Sequence, residues 1–288
     1  MIAIYNLEPK YKNLALEKIR KYYIDLGKQV EDYFALNYNN YEKIYASSIF
    51  DFTDKSLITP DMICGGSGFD YTVKLPPEIE QVKPKINLGF TSRGCIRNCE
   101  FCLVPKMEGK IRATGDIYDL WDEKSKKITL YDNNILALPK HFETICRQLK
   151  KENIKVDLNQ GIDIRLIRDN NAKMLSEIRS NDRIRVAWDF MDMEKMFLKK
   201  LPILTKYIKP VNINVYILVG FNTTFEQDYY RIQKCKELGL YPFAMDYNKK
   251  SSKLLKELCR WTNRYWFRHI LFKDYLKARK NLYLLKNT

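Results

Sequence analysis

Two rhythms of apolar and polar positions alternate along the chain, and the switches between them outline a succession of strands and helices. Ile2-Ala3-Ile4-Tyr5 is a short apolar run. From Asn13 to Gly27 the spacing changes, with Leu14, Leu16, Ile19 and Tyr22/Tyr23 recurring on one helical face. Gly27 supplies the residue that helix C-termini favour. Val30 to Phe34, Lys43 to Ser47 and Met62-Ile63-Cys64 then read as strands, the last ending in Gly65-Gly66-Ser67-Gly68. Strand and helix in alternation predict a parallel sheet, so residues 1–80 form a small α/β unit of Rossmann or flavodoxin type. The glycine run matches neither a Walker A loop nor a dinucleotide fingerprint. It is a tight turn, or a cradle for a phosphate.

A Pro/Lys-rich connector spans residues 74–85, from Lys74-Leu75-Pro76-Pro77-Glu78 to Pro84-Lys85. Within residues 81–250 a strand–helix unit then repeats. Strands are predicted at Ile86–Phe90, Ile128–Asp132, Lys155–Asn159, Arg183–Asp189, Asn212–Gly220 and Tyr241–Tyr247. Helices are predicted near Pro139–Lys150, Asn170–Ile178, Met193–Lys200 and Phe225–Leu238. The connections are long enough for right-handed parallel crossovers. Apolar runs such as Val215-Tyr216-Ile217-Leu218-Val219 suit strands covered on both faces. Residues 251–288 carry Leu254, Leu255, Leu258, Trp261 and Trp266 among many basic residues. They form one or two helices that seal the fold, or an arm whose aromatics and cations contact nucleic acid.

Composition narrows the class. With 288 residues and 45% hydrophobic content the chain can build one large domain, or a large one and a small one. No run approaches the length that spans a bilayer, and the N-terminus has no signal-peptide plan. Seven cysteines, three of them clustered, do not form a secreted disulfide framework, so a reducing cytoplasmic setting is expected. Fifty Lys+Arg against 35 Asp+Glu give a net charge of +15. That balance attracts anionic partners, nucleic acid among them, although a biased composition rich in Lys, Ile, Asn and Tyr produces it as well.

The chemistry concentrates in Thr91-Ser92-Arg93-Gly94-Cys95-Ile96-Arg97-Asn98-Cys99-Glu100-Phe101-Cys102. Three thiols spaced Cys-x3-Cys-x2-Cys on one loop can hold three irons of a 4Fe–4S cube and leave the fourth open to a small molecule. A structural zinc site would need a fourth ligand that the neighbouring sequence lacks. A Cys99–Cys102 redox pair leaves Cys95 without a role, and Gly94 opposes a helix carrying three buried cysteines. The remaining cysteines, Cys64, Cys146, Cys235 and Cys259, are scattered. They read as small buried hydrophobes or, less simply, as ligands of a second cluster.

This spacing, with Phe101 just before the third cysteine, resembles the signature of the radical S-adenosylmethionine (SAM) superfamily. The resemblance implies a partial (β/α)6 barrel preceded by a small Rossmann-like, cobalamin-binding-like domain. It implies a 4Fe–4S cluster on Cys95, Cys99 and Cys102 and SAM on the open iron. A reductant such as flavodoxin or ferredoxin would deliver the electron that cleaves SAM to methionine and a 5′-deoxyadenosyl radical, which takes hydrogen from a substrate. The Asp-x-His-x-x-Gly motif for cobalamin is absent, since the two histidines are His141 and His269. The N-terminal unit is therefore expected to be degenerate. Methylthiotransferases of the superfamily use three further N-terminal cysteines, and here there is Cys64 alone. The substrate expected is a nucleotide or a nucleic-acid base, on charge, with a peptide or metabolite left open.

In parallel barrels the working residues lie at the C-terminal strand ends. Those ends read Asp132-Asn133-Asn134, Asn159-Gln160 with Asp163 and Arg165, Asp189, Gly220 to Asn222, and Asp246 to Asn248. Helix capping explains any one of them. The resemblance places Asp132 or Asn133 at the methionyl amino group and Arg165 and Asp189 at the carboxylate and ribose. It places Val219, Gly220 and Phe221 beside adenine. Lys106, Lys110 and Arg112 either stabilise an anionic group or form a solvated turn. A non-catalytic iron–sulfur or nucleic-acid-binding protein is the rival reading.

Overall fold

The computed structural model describes residues 1–180, 182–247 and 251–285. The chain divides into two compact units, Met1–Gly89 with Tyr118–Lys124, and Phe90–Ile117 with Ser125–Thr288. Asn248, at the end of the predicted sixth strand, lies outside the described residues, as do residues 286–288 of the tail.

In the first unit, β1 (Ile2–Asn6), β2 (Val30–Asp32), β3 (Lys43–Ser47) and β4 (Ile63–Gly65) form a wholly parallel sheet in the order β2-β1-β3-β4. Helix α1 (Leu14–Asp25) makes the β1–β2 crossover. Asn13 caps it by accepting from the Ala15 and Leu16 amides, and the chain leaves through Gly27 at φ +72°. One sheet face packs Ile2, Ile4 and Tyr45 on Leu16, Ile19 and Tyr23. The other buries Ala3, Ile44, Ala46 and Met62. Such two-sided burial is what parallel strands require. The Gly65–Gly68 run is packed against its own neighbours, since a Cβ on Gly66 would lie 2.5 Å from the Ser48 carbonyl and one on Gly68 2.5 Å from that of Phe50. The tight turn therefore prevails over the phosphate cradle. A short helix α2 (Pro77–Glu80) and strand β5 (Leu88–Gly89) complete the unit. The strand expected over 86–90 shrinks to two residues because Asn87 turns left-handed at φ +64°.

The second unit opens with a ribbon of β6 (Ser92–Arg93) and β7 (Arg112–Ala113) around α3 (Val104–Glu108). Strands β8 (Lys127–Leu130), β9 (Lys155–Leu158) and β10 (Arg179–Ser180) pair in parallel in the order β10-β9-β8. Strands β11 (Ile184–Ala187), β12 (Ile213–Val219) and β13 (Tyr241–Asp246) form a second parallel sheet. A parallel bridge from Ile162 to Val186 carries the strand direction from one sheet to the other. The six strands thus do not form one continuous ladder. After β9 the chain turns at Gly161 (φ +80°), and β10, which the apolar pattern does not mark, takes the place beside β9.

Helices α4 (Pro139–Lys151), α5 (Asp169–Glu177), α6 (Glu194–Thr205) and α7 (Phe225–Glu237) follow their strands. Two of them start as their sequence dictates: Pro139 sits in the first turn of α4, and Thr224 with Gln227 forms a capping box on α7. Expectation and structure part on burial of the strands. Val215, Ile217 and Val219 are sealed, but Asn214 and Tyr216 on the alternate face are only half-buried, as are Asp157 and Arg185. That face is polar at Asn214 and Tyr216 and apolar only at Leu218. Helices α8 (Lys253–Asn263) and α9 (Phe272–Leu285) close the chain, with Leu255, Leu258, Trp261 and Phe272 buried and Leu254 and Trp266 exposed. Among the described residues no helix is long and apolar enough to cross a membrane.

Candidate active site

The cysteines sit in the loop closed by the β6–β7 ribbon, whose register pairs Ser92 with Ala113 and Arg93 with Arg112. Gly94 turns the chain at φ +85°, and a Cβ there would collide with the Lys110 carbonyl and lie 2.6 Å from that of Gly109. The Cys95 amide donates to the Gly109 carbonyl at 3.2 Å, and the Cys102 amide to the Cys99 carbonyl at 3.0 Å. Glu108 braces the loop. Its carboxylate accepts from the Gly94 amide (2.8 Å), the Arg93 guanidinium (3.2 Å) and the Asn133 amide group (2.8 Å). All seven cysteines are free, and Cys95, Cys99 and Cys102 are partly exposed while Cys146 and Cys235 are buried in helices. Burial pushes the Cys146 thiol up to about 12 and that of Cys259 equally far, as inert structural thiols behave.

The end of β8 fastens this loop. Asp132 is buried and accepts four hydrogen bonds, from the Thr91 amide (3.0 Å) and hydroxyl (2.7 Å) and the Ser92 amide (2.6 Å) and hydroxyl (2.5 Å). Burial raises its pKa even against those donors. Its acceptor capacity is spent on the strand that leads into the cysteines, and Asn133 is spent on Glu108. Asn134, also buried, reaches a cysteine: its Nδ2 donates to Cys95 Sγ at 3.4 Å, beside the Arg97 amide at 3.3 Å. The Asn134 Oδ1 has no protein partner.

From the β9 side, Asp163 accepts from Arg97 at 3.0 Å and from Arg165 at 2.6 and 3.0 Å. Burial would raise the Asp163 pKa, but the two guanidinium groups hold it below the ordinary value. Arg165 stands close enough to Cys99 to draw its thiol down. Burial outweighs that pull, and Asp189 with the neighbouring thiols adds to the rise, so Cys99 and Cys102 are both pushed up. Asp189 itself is pushed up to about 6 by burial, against Arg231 and Arg165 and with the help of Asp163. Cys99, Cys102, Arg165 and Asp189 therefore share one electrostatic neighbourhood.

Aromatic rings bind the ends of β11 and β12 to the same loop. Phe101 packs edge-on against Phe190 (centroids 5.5 Å) and Phe221 (5.8 Å), and Phe221 against Tyr247 (4.5 Å). Asn222 donates to Glu100 at 3.4 Å. Gly220, at φ +74°, gives its amide to Asp228 at 3.0 Å, and a Cβ there would press on Leu255 at 2.7 Å. Val219 is a sealed core residue rather than part of this ring cluster. Arg112 closes the hairpin by donating to the Glu108 carbonyl at 2.7 Å, while Lys106 and Lys110 are exposed. Sequence reasoning missed Glu108, Phe190 and Arg231, and it named Asn134 in the strand-end series without giving it a role. Phe190 adjoins Asp189, which that series did single out.

Among the described residues no three His, Cys, Asp or Glu side chains are grouped to hold a metal ion. A cube differs from a single-ion site in that each thiolate holds its own iron, so its sulfurs need not meet at one point. The donor set fits that group: three free thiols on one glycine-hinged loop, with two N–H donors on Cys95 Sγ of the kind that supports a metal thiolate.

No family model matches the chain. It is similar to the tRNA-2-methylthio-N(6)-dimethylallyladenosine synthase of Sulfurihydrogenibium sp. (strain YO3AOP1), at 28% identity over 161 residues, with 48% of this chain and 37% of that protein covered. The like-named protein of Aquifex aeolicus (strain VF5) is 27% identical over 163 residues, with the same shares. The match thus spans little more than a third of these curated relatives.

Proposed function

We propose that the chain is a radical SAM enzyme acting on a nucleic-acid base. The observation that carries this reading is the cysteine hairpin itself, anchored through Asp132 with Cys95 Sγ facing two N–H donors. Cys95, Cys99 and Cys102 would hold a 4Fe–4S cluster, and SAM would complete it. Bound there, the pair supplies one-electron reduction and hydrogen-atom abstraction. The protein's part is to hold and shield. Asp132 and Glu108 fix the hairpin, Asp163 ties Arg97 to Arg165, and Phe101, Phe190 and Phe221 line its edge with apolar surface that excludes water. Arg165 and Asp189, whose charges act on Cys99, would orient a ligand's carboxylate and hydroxyls, with Gly220 and Phe221 beside its adenine.

The two parallel sheets joined at Ile162 and Val186 support a partial (β/α)6 barrel over residues 81–250, sealed by residues 251–288. The β2-β1-β3-β4 order supports a flavodoxin-like, cobalamin-binding-like domain over residues 1–80, without a histidine ligand. Free, partly exposed thiols suit a reducing cytoplasm, where flavodoxin or ferredoxin is the fitting reductant. The relatives' names and the +15 charge together favour tRNA as the nucleic acid. Methylthio transfer does not follow, because the first unit holds Cys64 alone where a second cluster would need several thiolates.

Comparing tRNA nucleosides by mass spectrometry from cells with and without the protein tests the substrate. A modified nucleoside lost with the protein, and restored by wild type but not by Cys99→Ala, is the expected outcome. Unchanged nucleosides beside a changed peptide or metabolite would replace the substrate class.

A further inference from the structure

The strand end after β8 offers three polar side chains in a row, and the structure assigns each a different fate. Asp132 is saturated by Thr91 and Ser92, and Asn133 donates to Glu108. Asn134 has its Nδ2 on Cys95 Sγ while its Oδ1 is buried without a partner. Leaving a buried carbonyl unmatched costs free energy. The opposite amide orientation would aim that carbonyl at the sulfur, where a thiolate would repel it.

We propose that Asn134 is a positioning residue for Cys95, whose N–H···S hydrogen bond orients the thiolate and raises the reduction potential of the cluster that it holds. The inference rests on the cluster reading. Charge-assisted hydrogen bonds to sulfur are among the terms that set such potentials, because they favour the more negative, reduced state. The Arg97 amide donates to the same sulfur from the backbone and is present in every variant. Asn134 is the part that a side-chain substitution can remove. The contact spans 39 residues of sequence, so it also ties the cysteine loop to the β8 end.

The test uses the full chain, reconstituted without oxygen with iron and sulfide, and follows reduction by electron paramagnetic resonance during a redox titration. Asn134→Leu keeps the branched shape and removes the donor, and Asn134→Asp replaces it with an acceptor. Both should lower the midpoint potential relative to wild type. For Asn134→Leu the expected fall is about tenfold in the reduction equilibrium, or about 59 mV for one electron. Should Asn134→Leu fail to fold, Asn134→Ala carries the same expectation. A purely structural Asn134 would lower the yield of cluster but leave the potential of what assembles unchanged, and that result overturns the inference. A wild type that binds no iron and sulfide removes the cluster reading and this inference with it, which the iron analysis shows before any titration.

Discussion

Arg231 and Asp228 form an ion pair at 2.5 Å with both side chains sealed from solvent. From α7 the Arg231 guanidinium donates to the carbonyls of Trp188 (2.8 Å), Asp189 (2.7 Å) and Leu218 (2.7 Å). Asp228 in turn accepts from the Gly220 amide and, at 2.7 Å, from the Thr223 hydroxyl. One helix thus fixes the ends of β11 and β12, which carry the residues that face the cysteine loop.

Removing Arg231 leaves the Asp228 carboxylate buried without its counter-charge, and breaking such a pair costs about 3–5 kcal/mol. Arg231→Met should therefore lower the unfolding free energy of the cluster-free protein, read from a urea titration, by an amount of that order. A loss under about 1 kcal/mol would mean that the pair does not organise the strand ends.

Asp132 should behave as an anchor. Asp132→Ala leaves the Thr91 amide and the Ser92 amide and hydroxyl buried without this acceptor, at about 1–3 kcal/mol for each group, while the Thr91 hydroxyl keeps His141 Nε2 at 3.0 Å. Limited proteolysis should then cut within residues 91–112 faster than in wild type. Unaltered cleavage there, with ligand binding lost, would assign Asp132 to the ligand instead.

Gly94 has no substitute in this hairpin. An alanine at φ +85° carries about 1–3 kcal/mol of backbone strain, besides the collision with the Gly109 and Lys110 carbonyls. Gly94→Ala should fold in the first unit yet take up little iron on reconstitution. Full uptake would show that the loop does not need its present turn.

Asp189 gives the cluster-free protein a pH signature. Its folded pKa of about 6 lies above the ordinary 3.8, so the folded state binds the proton more tightly between those values. Stability contributed by this group is greatest when it is protonated and falls as pH rises through that window. Asp189→Asn should remove this fall, so that thermal melting gains on wild type between about pH 4 and 6 and holds the gain above. A constant difference across the range would contradict the burial of this carboxylate.

Much of this was legible in the chain before any coordinates. Lys43–Ser47 is the strand that its apolar run predicts, and Asn13 and Gly27 bound α1 as a cap and a stop should. The Cys-x3-Cys-x2-Cys spacing marked the loop, the strand-end pattern marked Asp189, and the family resemblance marked Phe221, which packs on Phe101. Long-range choices were not legible. Nothing local tells Asp132 to bind Thr91 and Ser92 about forty residues away, or tells Asn134 rather than Asn133 to face Cys95. The β6–β7 ribbon escaped notice because two-residue strands have no periodicity to read. The half-buried positions of β12 hide inside an apolar run, since Tyr216 reads as core by type.

Release of 5′-deoxyadenosine tests the central claim most directly. The protein, loaded with iron and sulfide under nitrogen, is mixed with SAM and dithionite, and the nucleoside is measured by liquid chromatography. Wild type should produce it, and Cys95→Ala, Cys99→Ala and Cys102→Ala should not. A loaded wild type that yields none, or a Cys99→Ala variant that yields as much, would contradict the assignment of these three thiols to SAM cleavage.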